Sequence, residues 1–169
     1  MPTAASAARS VPPSTTGRVK RGGHLTAAGS ISRCWSAGNV RLYRLPAAGG
    51  QPEVIVGDRG AAGNWSVAKD GSVAYAFASP GDLAQLYLKR PGQPPRKLTD
   101  LNAEVLAGKS IADVESFNFI SNDNTYEIEA FLTKPMGMTA GSRHPLIVNI
   151  HGGPHAQQGP AFQIGRAHV

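Results

Sequence analysis

A histidine followed by two glycines, His151-Gly152-Gly153, is the segment of this sequence whose residue types best suit chemistry. It follows a run at 146–150 that is apolar except for Asn149, which is typical of a buried parallel strand. Adjacent glycines let the backbone turn sharply at the end of a strand and approach a ligand closely. Backbone N–H groups exposed at such a turn donate hydrogen bonds to a developing oxyanion. The segment therefore predicts an oxyanion-binding loop, with a plain glycine-rich turn as the alternative.

Other residues of catalytic type lack the partners that their chemistry needs. Ser110 stands in a Gly-x-Ser-x-Ala segment, but it precedes the apolar run, and alanine replaces the second glycine of a nucleophile turn. His151 and His155 have the spacing of a zinc pair on a helix, yet Gly-Gly-Pro between them excludes a helix. Cys34 is the single cysteine, which excludes a disulfide scaffold. No nucleophile, metal site or cofactor site is predicted, and residues 154–169 contain neither serine nor acid.

The elements before the loop have the pattern of short antiparallel strands separated by turns. Asp70-Gly71 between two apolar runs indicates a tight hairpin, because type I′ turns need positive φ at both central positions. Strands are predicted at 40–45, 53–56, 64–68, 73–79, 85–89 and 96–99, a helical connector at 101–109, and a hairpin at 114–121 and 126–134. The stretch 65–99 has the layout of one four-stranded propeller blade.

Charge and hydropathy exclude two classes of partner. The net charge of +6 arises entirely before residue 51, where seven basic residues and no acid occur. This segment is rich in Pro, Ser, Ala and Gly, so it lacks the folded basic face expected of a nucleic-acid-binding protein. No apolar run approaches the roughly 20 residues that a membrane span needs. We expect neither a nucleic acid nor a membrane as a partner.

The two ends of the chain differ in texture from the rest. Residues 1–38 are predicted to be an unstructured or non-native segment, with a disordered tail, an organelle transit peptide and a frame error in GC-rich DNA as the alternatives. Residues 164–169 match the translation of ATC GGA AGA GCA CAC GTC, a sequencing-adapter string. We therefore expect the native sequence to end near Phe162 and 163–169 to be an adapter-derived tail, and whether the gene continues past Phe162 is left open.

The stretch 114–162, with its hairpin, apolar strand and HGGPH motif, resembles the opening of the catalytic domain of the prolyl oligopeptidase (S9) family. The motif is most similar to the acylaminoacyl-peptidase branch, and residues 39–109 are similar to the end of that family's β-propeller. The resemblance implies an α/β-hydrolase domain with a Ser-Asp-His triad that cleaves short peptides by acyl transfer, without metal or cofactor. It also implies that the Gly153 N–H forms part of the oxyanion hole, that Gly152 shapes the turn and that His151 lies beside the oxyanion.

The predicted fold class is therefore mixed: the C-terminal part of a β-propeller at 39–112, then the first strands of an incomplete α/β-hydrolase domain at 113–162. Because no Gly-x-Ser-x-Gly segment follows the loop, we expect an inactive segment of a serine peptidase. Without covering layers, we expect it to aggregate when isolated. Two alternatives stay open: part of an esterase or lipase with the same loop, and a non-catalytic propeller that binds a partner. The lone cysteine favours a reducing cytoplasm, and the oligomeric state is left open.

Overall fold

The computed structural model describes residues 25–26, 29–153 and 157–162, and these are mostly antiparallel β-structure. The elements are β1 Leu25–Thr26, β2 Gly29–Ser36, β3 Asn39–Pro46, β4 Glu53–Val56, β5 Ala61–Val67, β6 Val73–Ser79, β7 Asp82–Lys89, β8 Arg96–Lys97, α1 Ala103–Leu106, β9 Val114–Ile120 and β10 Glu127–Thr133. The strands and the short helix predicted between residues 40 and 134 are confirmed, with ends that shift by at most three residues.

Strands β1–β8 form two consecutive antiparallel meanders, β1–β4 and β5–β8, joined in one sheet. The link between them is one parallel pair, Val40 opposite Ala61, beside an irregularity in β3 at Leu42 and Tyr43. The bulge lets β3 separate from β4 and meet β5, because an irregular register bends a strand locally. The sequence had predicted only the second of these two meanders as a four-stranded unit.

A repeat in the sequence marks these two meanders. Gly50-Gln51-Pro52 recurs as Gly92-Gln93-Pro94, and Gly29-Ser30 recurs as Gly71-Ser72, each 42 residues later. This spacing lies in the range of about 40–45 residues that one four-stranded propeller blade occupies. The repeat is the signal that would have located the first meander.

Strand β2 corrects part of the expectation for the first 38 residues, that they are unstructured, whereas the alternative that they are non-native stays a prediction. Residues 29–36 were expected to be unstructured or non-native, but they pair with β3 along their whole length, from Gly29–Pro46 to Ser36–Asn39. Cys34 therefore belongs to the sheet, opposite Arg41. The expectation of an unstructured segment was wrong here because the polar residues of β2 give no clear alternation, and the stabilising contacts of the strand come from its partner β3. The expectations for 1–24 and 163–169 lie outside the described residues.

One cluster of buried side chains joins the two meanders and forms the core. Its buried members are Ile31, Leu42, Ile55, Val56, Ala62, Val73, Tyr75 and Phe77. The apolar residues of β6 alternate, so that every second side chain reaches this cluster, as expected for a sheet with one covered face. Trp65, Val67 and Tyr87 pack against it from the second meander. Burial of this shared face holds the meanders together.

The third part of the chain is less well packed. Strands β9 and β10 form a two-stranded hairpin, and each pair from Val114–Thr133 to Ile120–Glu127 is in register. The strand expected at 146–150 is not formed, and Ile147 and Ile150 are 89% and 87% exposed. A strand needs a hydrogen-bonded neighbour, and no such neighbour lies beside this run in the described chain. Within 29–153 and 157–162 we observe neither a closed ring of blades nor a parallel sheet.

Candidate oxyanion loop

The predicted oxyanion loop, residues 151–153, is exposed on the surface. Gly153 has a φ of 86°, a conformation that favours glycine, while a side chain at Gly152 would meet nothing within 4 Å. The ring of His151 lies against the loop itself, with Nδ1 at 3.3 Å from the Gly152 carbonyl oxygen. Among the described residues, no group accepts a hydrogen bond from the N–H of Gly152 or Gly153. Pro154 and His155 lie outside the described residues.

The chain beyond the loop returns to the meanders. The N–H of Phe162 donates to the Ser79 carbonyl oxygen in the β6–β7 turn at 2.9 Å. Gly159 lies against the Gly38 carbonyl in the β2–β3 turn, so closely that a Cβ built on Gly159 would overlap that oxygen. The Phe131 ring of β10 covers the other side of Gly38. Both turns lie at the same end of the meanders, which we call the turn end.

A tight two-residue turn at Ala37 and Gly38 shapes this end. Their φ values are 46° and 68°, the signs required by a type I′ hairpin turn. Asn39 fixes the turn, since its Nδ2 donates to the Ala37 carbonyl at 2.7 Å. Its Oδ1 accepts from the Gly60 N–H at 2.9 Å. One side chain therefore ties the turn of the first meander to the start of the second.

A serine–histidine pair that the sequence analysis missed lies shortly before the loop. Ser142 Oγ is 3.0 Å from His144 Nε2, within hydrogen-bonding distance. The Ser142 hydroxyl also donates to the Thr139 carbonyl oxygen at 2.7 Å. No acid among the described residues contacts the other ring nitrogen of His144, so the ring lacks the orienting group of a triad. The pair stabilises a loop and is not an activated nucleophile.

The remaining chemical candidates stay apart from the loop. Ser110 is exposed and hydrogen-bonds to no histidine or acid in the part of the chain that the structure describes. No group of three or more His, Cys, Asp or Glu side chains is placed to hold a metal ion among these residues. A cavity of about 470 Å³ lies at the opposite end of the strands, lined by Arg44, Glu53, Lys89 and Arg90 among others. It contains no pair of a nucleophile and a base.

The comparisons with known proteins relate the chain to peptidases. No protein-family model matches it. Over 87 residues, 52% of its length, the chain is 30% identical to the uncharacterized peptidase YuxL of Bacillus subtilis strain 168, and the match spans 13% of that protein. The described fold is similar to part of an acylaminoacyl peptidase solved with Z-Gly-Gly-Phe-chloromethyl ketone, with a TM-score of 0.74 and 23% identity over 89% of this chain and 23% of that one.

A second solved structure, Pyrococcus horikoshii acylaminoacyl peptidase, gives a TM-score of 0.72 and 24% identity, covering 87% of this chain and 22% of its own. This chain is related to a segment of a peptidase. It spans less than a quarter of the length of any of these relatives. The likeness to the solved structures shows a shared fold, and the peptidase relation agrees with the family resemblance of the HGGPH region. Among the described residues, no helix has the length and apolar character needed to cross a membrane.

Proposed function

We propose that this chain is the junction segment of a serine-type oligopeptidase, in which two propeller blades lead into the first strands of an α/β-hydrolase domain. In this proposal the blades are β1–β4 and β5–β8, and the hydrolase part begins with β9 and β10. The N–H of Gly153 supplies one donor of the oxyanion hole. The observation that carries the proposal is that the described residues offer no acceptor to the N–H groups of Gly152 and Gly153, in a chain whose described fold resembles part of an acylaminoacyl peptidase.

The nucleophile, base and acid lie in the proposed enzyme beyond the segment that this chain spans. A strained strand-to-helix turn carries the serine of such a hydrolase, and a histidine activates it. The 169 residues contain no serine after Gly153. We therefore propose that the chain by itself hydrolyses no peptide. In the whole enzyme, its substrates are short peptides, which agrees with the peptidyl inhibitor bound to one structural relative. A cytoplasmic location is part of the same proposal.

A second function, a propeller that binds a partner without chemistry, is favoured by one observation. The second meander and its repeat of 42 residues give the chain the internal repetition that such a protein needs. A binding propeller does not need the paired glycines at 152 and 153. An esterase or lipase with the same loop is the third alternative, and the two propeller-like meanders argue against it.

For the test, the source DNA is sequenced with independent primers past the Phe162 codon. The protein encoded by the extended reading frame is then expressed alongside the 169-residue chain. We expect the extended protein, and not the chain, to react with a fluorophosphonate probe and with Z-Gly-Gly-Phe-chloromethyl ketone. Cleavage of peptide p-nitroanilides in preference to p-nitrophenyl butyrate separates a peptidase from an esterase. An extended protein that reacts with neither probe would support the binding propeller and overturn the proposal.

A matched pair of variants of the extended protein tests the oxyanion role. Gly153 and Gly137 both have positive φ, 86° and 71°, and lie after β10. An alanine is strained at either position, but only Gly153 is proposed to donate to the oxyanion. We expect Gly153→Ala to lower kcat about 10²–10³-fold with little change in KM. Gly137→Ala should keep kcat within a few-fold of the parent, and equal losses in both variants would refute the role.

A further inference from the structure

We propose that the turn end of the two meanders positions the oxyanion loop by holding the residues that follow it, Gly159 and Phe162. The inference rests on the proposed function in one respect, since it assigns a purpose to the loop at 151–153. The contacts themselves stand on the structure alone. Through these contacts, the meanders help to shape the active site. The proposed hydrolase domain contributes the serine of that site.

The chain changes from exposed to held as it leaves the loop. Residues 143–153 are all exposed, whereas each of 157–162 is at least partly covered and Pro160 is buried. The change coincides with the contacts at the turn end. The loop therefore has a fixed point six residues after Gly153, at Gly159.

Gly159 is a glycine for reasons of space. Its φ lies outside the positive range, so its backbone is one that any residue adopts. A Cβ would overlap the carbonyl oxygen of Gly38, a backbone atom that cannot rotate away. Glycine serves either where φ is positive or where two backbones approach closely, and only the close approach applies at Gly159. The contact is therefore specific to this pair of glycines.

The turn that receives the segment is held by hydrogen bonds of its own. The Ala37–Gly38 turn is braced by the two hydrogen bonds of Asn39, and the Val40 N–H donates to the Gly60 carbonyl at 2.9 Å. The Phe131 ring packs on Gly38 from β10. The turn is thus fixed by both meanders and by the hairpin, so it positions the segment rather than adapting to it.

A second anchor acts at the neighbouring turn. The Phe162 N–H donates to the carbonyl of Ser79, the last residue of β6, as the N–H of a neighbouring strand would. Two anchors on two different turns resist both sliding and rotation of the segment. A segment held in this way restricts the directions in which the N–H groups of Gly152 and Gly153 point.

The first test measures amide exchange and amide chemical shifts in the 169-residue chain. The variants are Gly159→Ala and a matched control, Gly81→Ala. Gly81 belongs to the β6–β7 turn, and a Cβ at this position would meet no atom within 4 Å. We expect Gly159→Ala to speed exchange at 157–162 at least tenfold and to shift the amide signals of Gly152 and Gly153. Gly81→Ala should change neither, and strand β6 should keep its exchange rates in both variants.

A cross-linking test does not depend on whether the alanine variants fold. A backbone hydrogen bond between neighbouring strands brings two Cα atoms to about 5.5 Å, a separation that a disulfide accepts. In a Cys34→Ser background, we expect Ser79→Cys with Phe162→Cys to form a disulfide under mild oxidation. Gly49→Cys with Phe162→Cys, whose partners lie at opposite ends of the meanders, should remain reduced.

The outcomes are decisive in both directions. Absence of the 79–162 disulfide, or unchanged signals at Gly152 and Gly153 in a folded Gly159→Ala chain, overturns the positioning role. Neither readout depends on catalysis. Failure of the extended protein to react with peptidase probes would therefore remove the proposed function and leave the contact intact, whereas failure of these contacts would leave the peptidase proposal untouched.

Discussion

Tyr75 shows how aromatic side chains pack within the second meander. It is 2% exposed and stacks on Tyr87, with 5.6 Å between ring centroids and an interplanar angle of 20°. The rings of Tyr75 and Phe77 pack in a T-shaped arrangement, with 6.4 Å between their centroids. Burial, followed by the charge of Asp58 and the nearby Tyr87, raises the pKa of Tyr75 to about 12. The folded protein therefore favours the neutral phenol more strongly than the unfolded chain does.

That pKa predicts a loss of stability in strong base. The contribution of the neutral phenol is fully present below the ordinary tyrosine pKa of 10.0 and is lost as the pH rises toward 12. We expect the free energy of unfolding to fall less between pH 10 and 12 in Tyr75→Phe than in the parent, measured by urea unfolding. Tyr126→Phe, at a position 67% exposed, is the control and should follow the parent. Identical pH slopes for all three proteins would contradict the prediction.

At the scale of the element, Gln85 holds the outermost strand of the second meander. This side chain of β7 is 1% exposed, and its Oε1 accepts from the Thr99 hydroxyl at 2.8 Å and from the Leu101 N–H at 3.0 Å. Its Nε2 donates to Asp82 at 3.2 Å. Burial acts to raise the pKa of Asp82, but hydrogen bonds from Lys97 and Gln85 outweigh it and hold that pKa below its usual value. These hydrogen bonds join β7 to the residues that directly follow β8, and in this way they help to hold β8, which has only two residues.

Gln85→Leu is expected to release that strand. The substitution keeps most of the side-chain volume but leaves the Leu101 N–H and the Thr99 hydroxyl without their acceptor. We expect a loss of about 1–3 kcal/mol in the free energy of unfolding, measured by urea, with faster amide exchange at 98–101. Gln93→Leu, at an exposed position whose side chain makes no hydrogen bond among the described residues, is the matched control. A loss as large in Gln93→Leu would show that the effect is not due to the network.

At the scale of the whole molecule, the described surface is apolar where the third part of the chain lies. Leu146, Ile147, Val148 and Ile150 are between 69% and 89% exposed. On β9, Phe117 and Phe119 are nearly half exposed. An apolar patch of this kind marks an interface or a liability to aggregate. In the proposed enzyme, the rest of the hydrolase sheet covers it.

The same patch predicts how the isolated chain behaves. We expect the double variant Ile147→Lys, Ile150→Lys to remain soluble at several-fold higher concentration than the parent, with an unchanged midpoint of urea unfolding, because neither side chain is packed. Gln51→Lys with Thr139→Lys adds two lysines at exposed polar positions outside the patch and controls for charge. Light scattering during concentration is the measurement. Equal gains from both double variants would assign the effect to charge alone.

Local patterns were sufficient for much of this fold. The period of two in β6, the Asp70-Gly71 turn and the hairpin of β9 and β10 are properties of neighbouring residues, so sequence alone predicted them. The paired glycines at 152 and 153 were likewise visible, and their place in an oxyanion hole stays a prediction. Strand β2 was missed because its polar residues give no clear alternation and its stability comes from β3.

Tertiary structure decided what depends on distant partners. The chain at 146–150 has the composition of a buried strand, yet a strand forms only when a neighbour accepts its hydrogen bonds, and the described residues supply none. The approach of Gly159 to Gly38 joins positions more than a hundred residues apart, a proximity that no periodicity reports. Sequence by itself determined most of the strands, the Asp70-Gly71 turn and the candidate loop, because these follow from local backbone preferences. The pairing of the two meanders and the anchoring of the segment after the loop arise only when burial and close backbone contact bring those elements together.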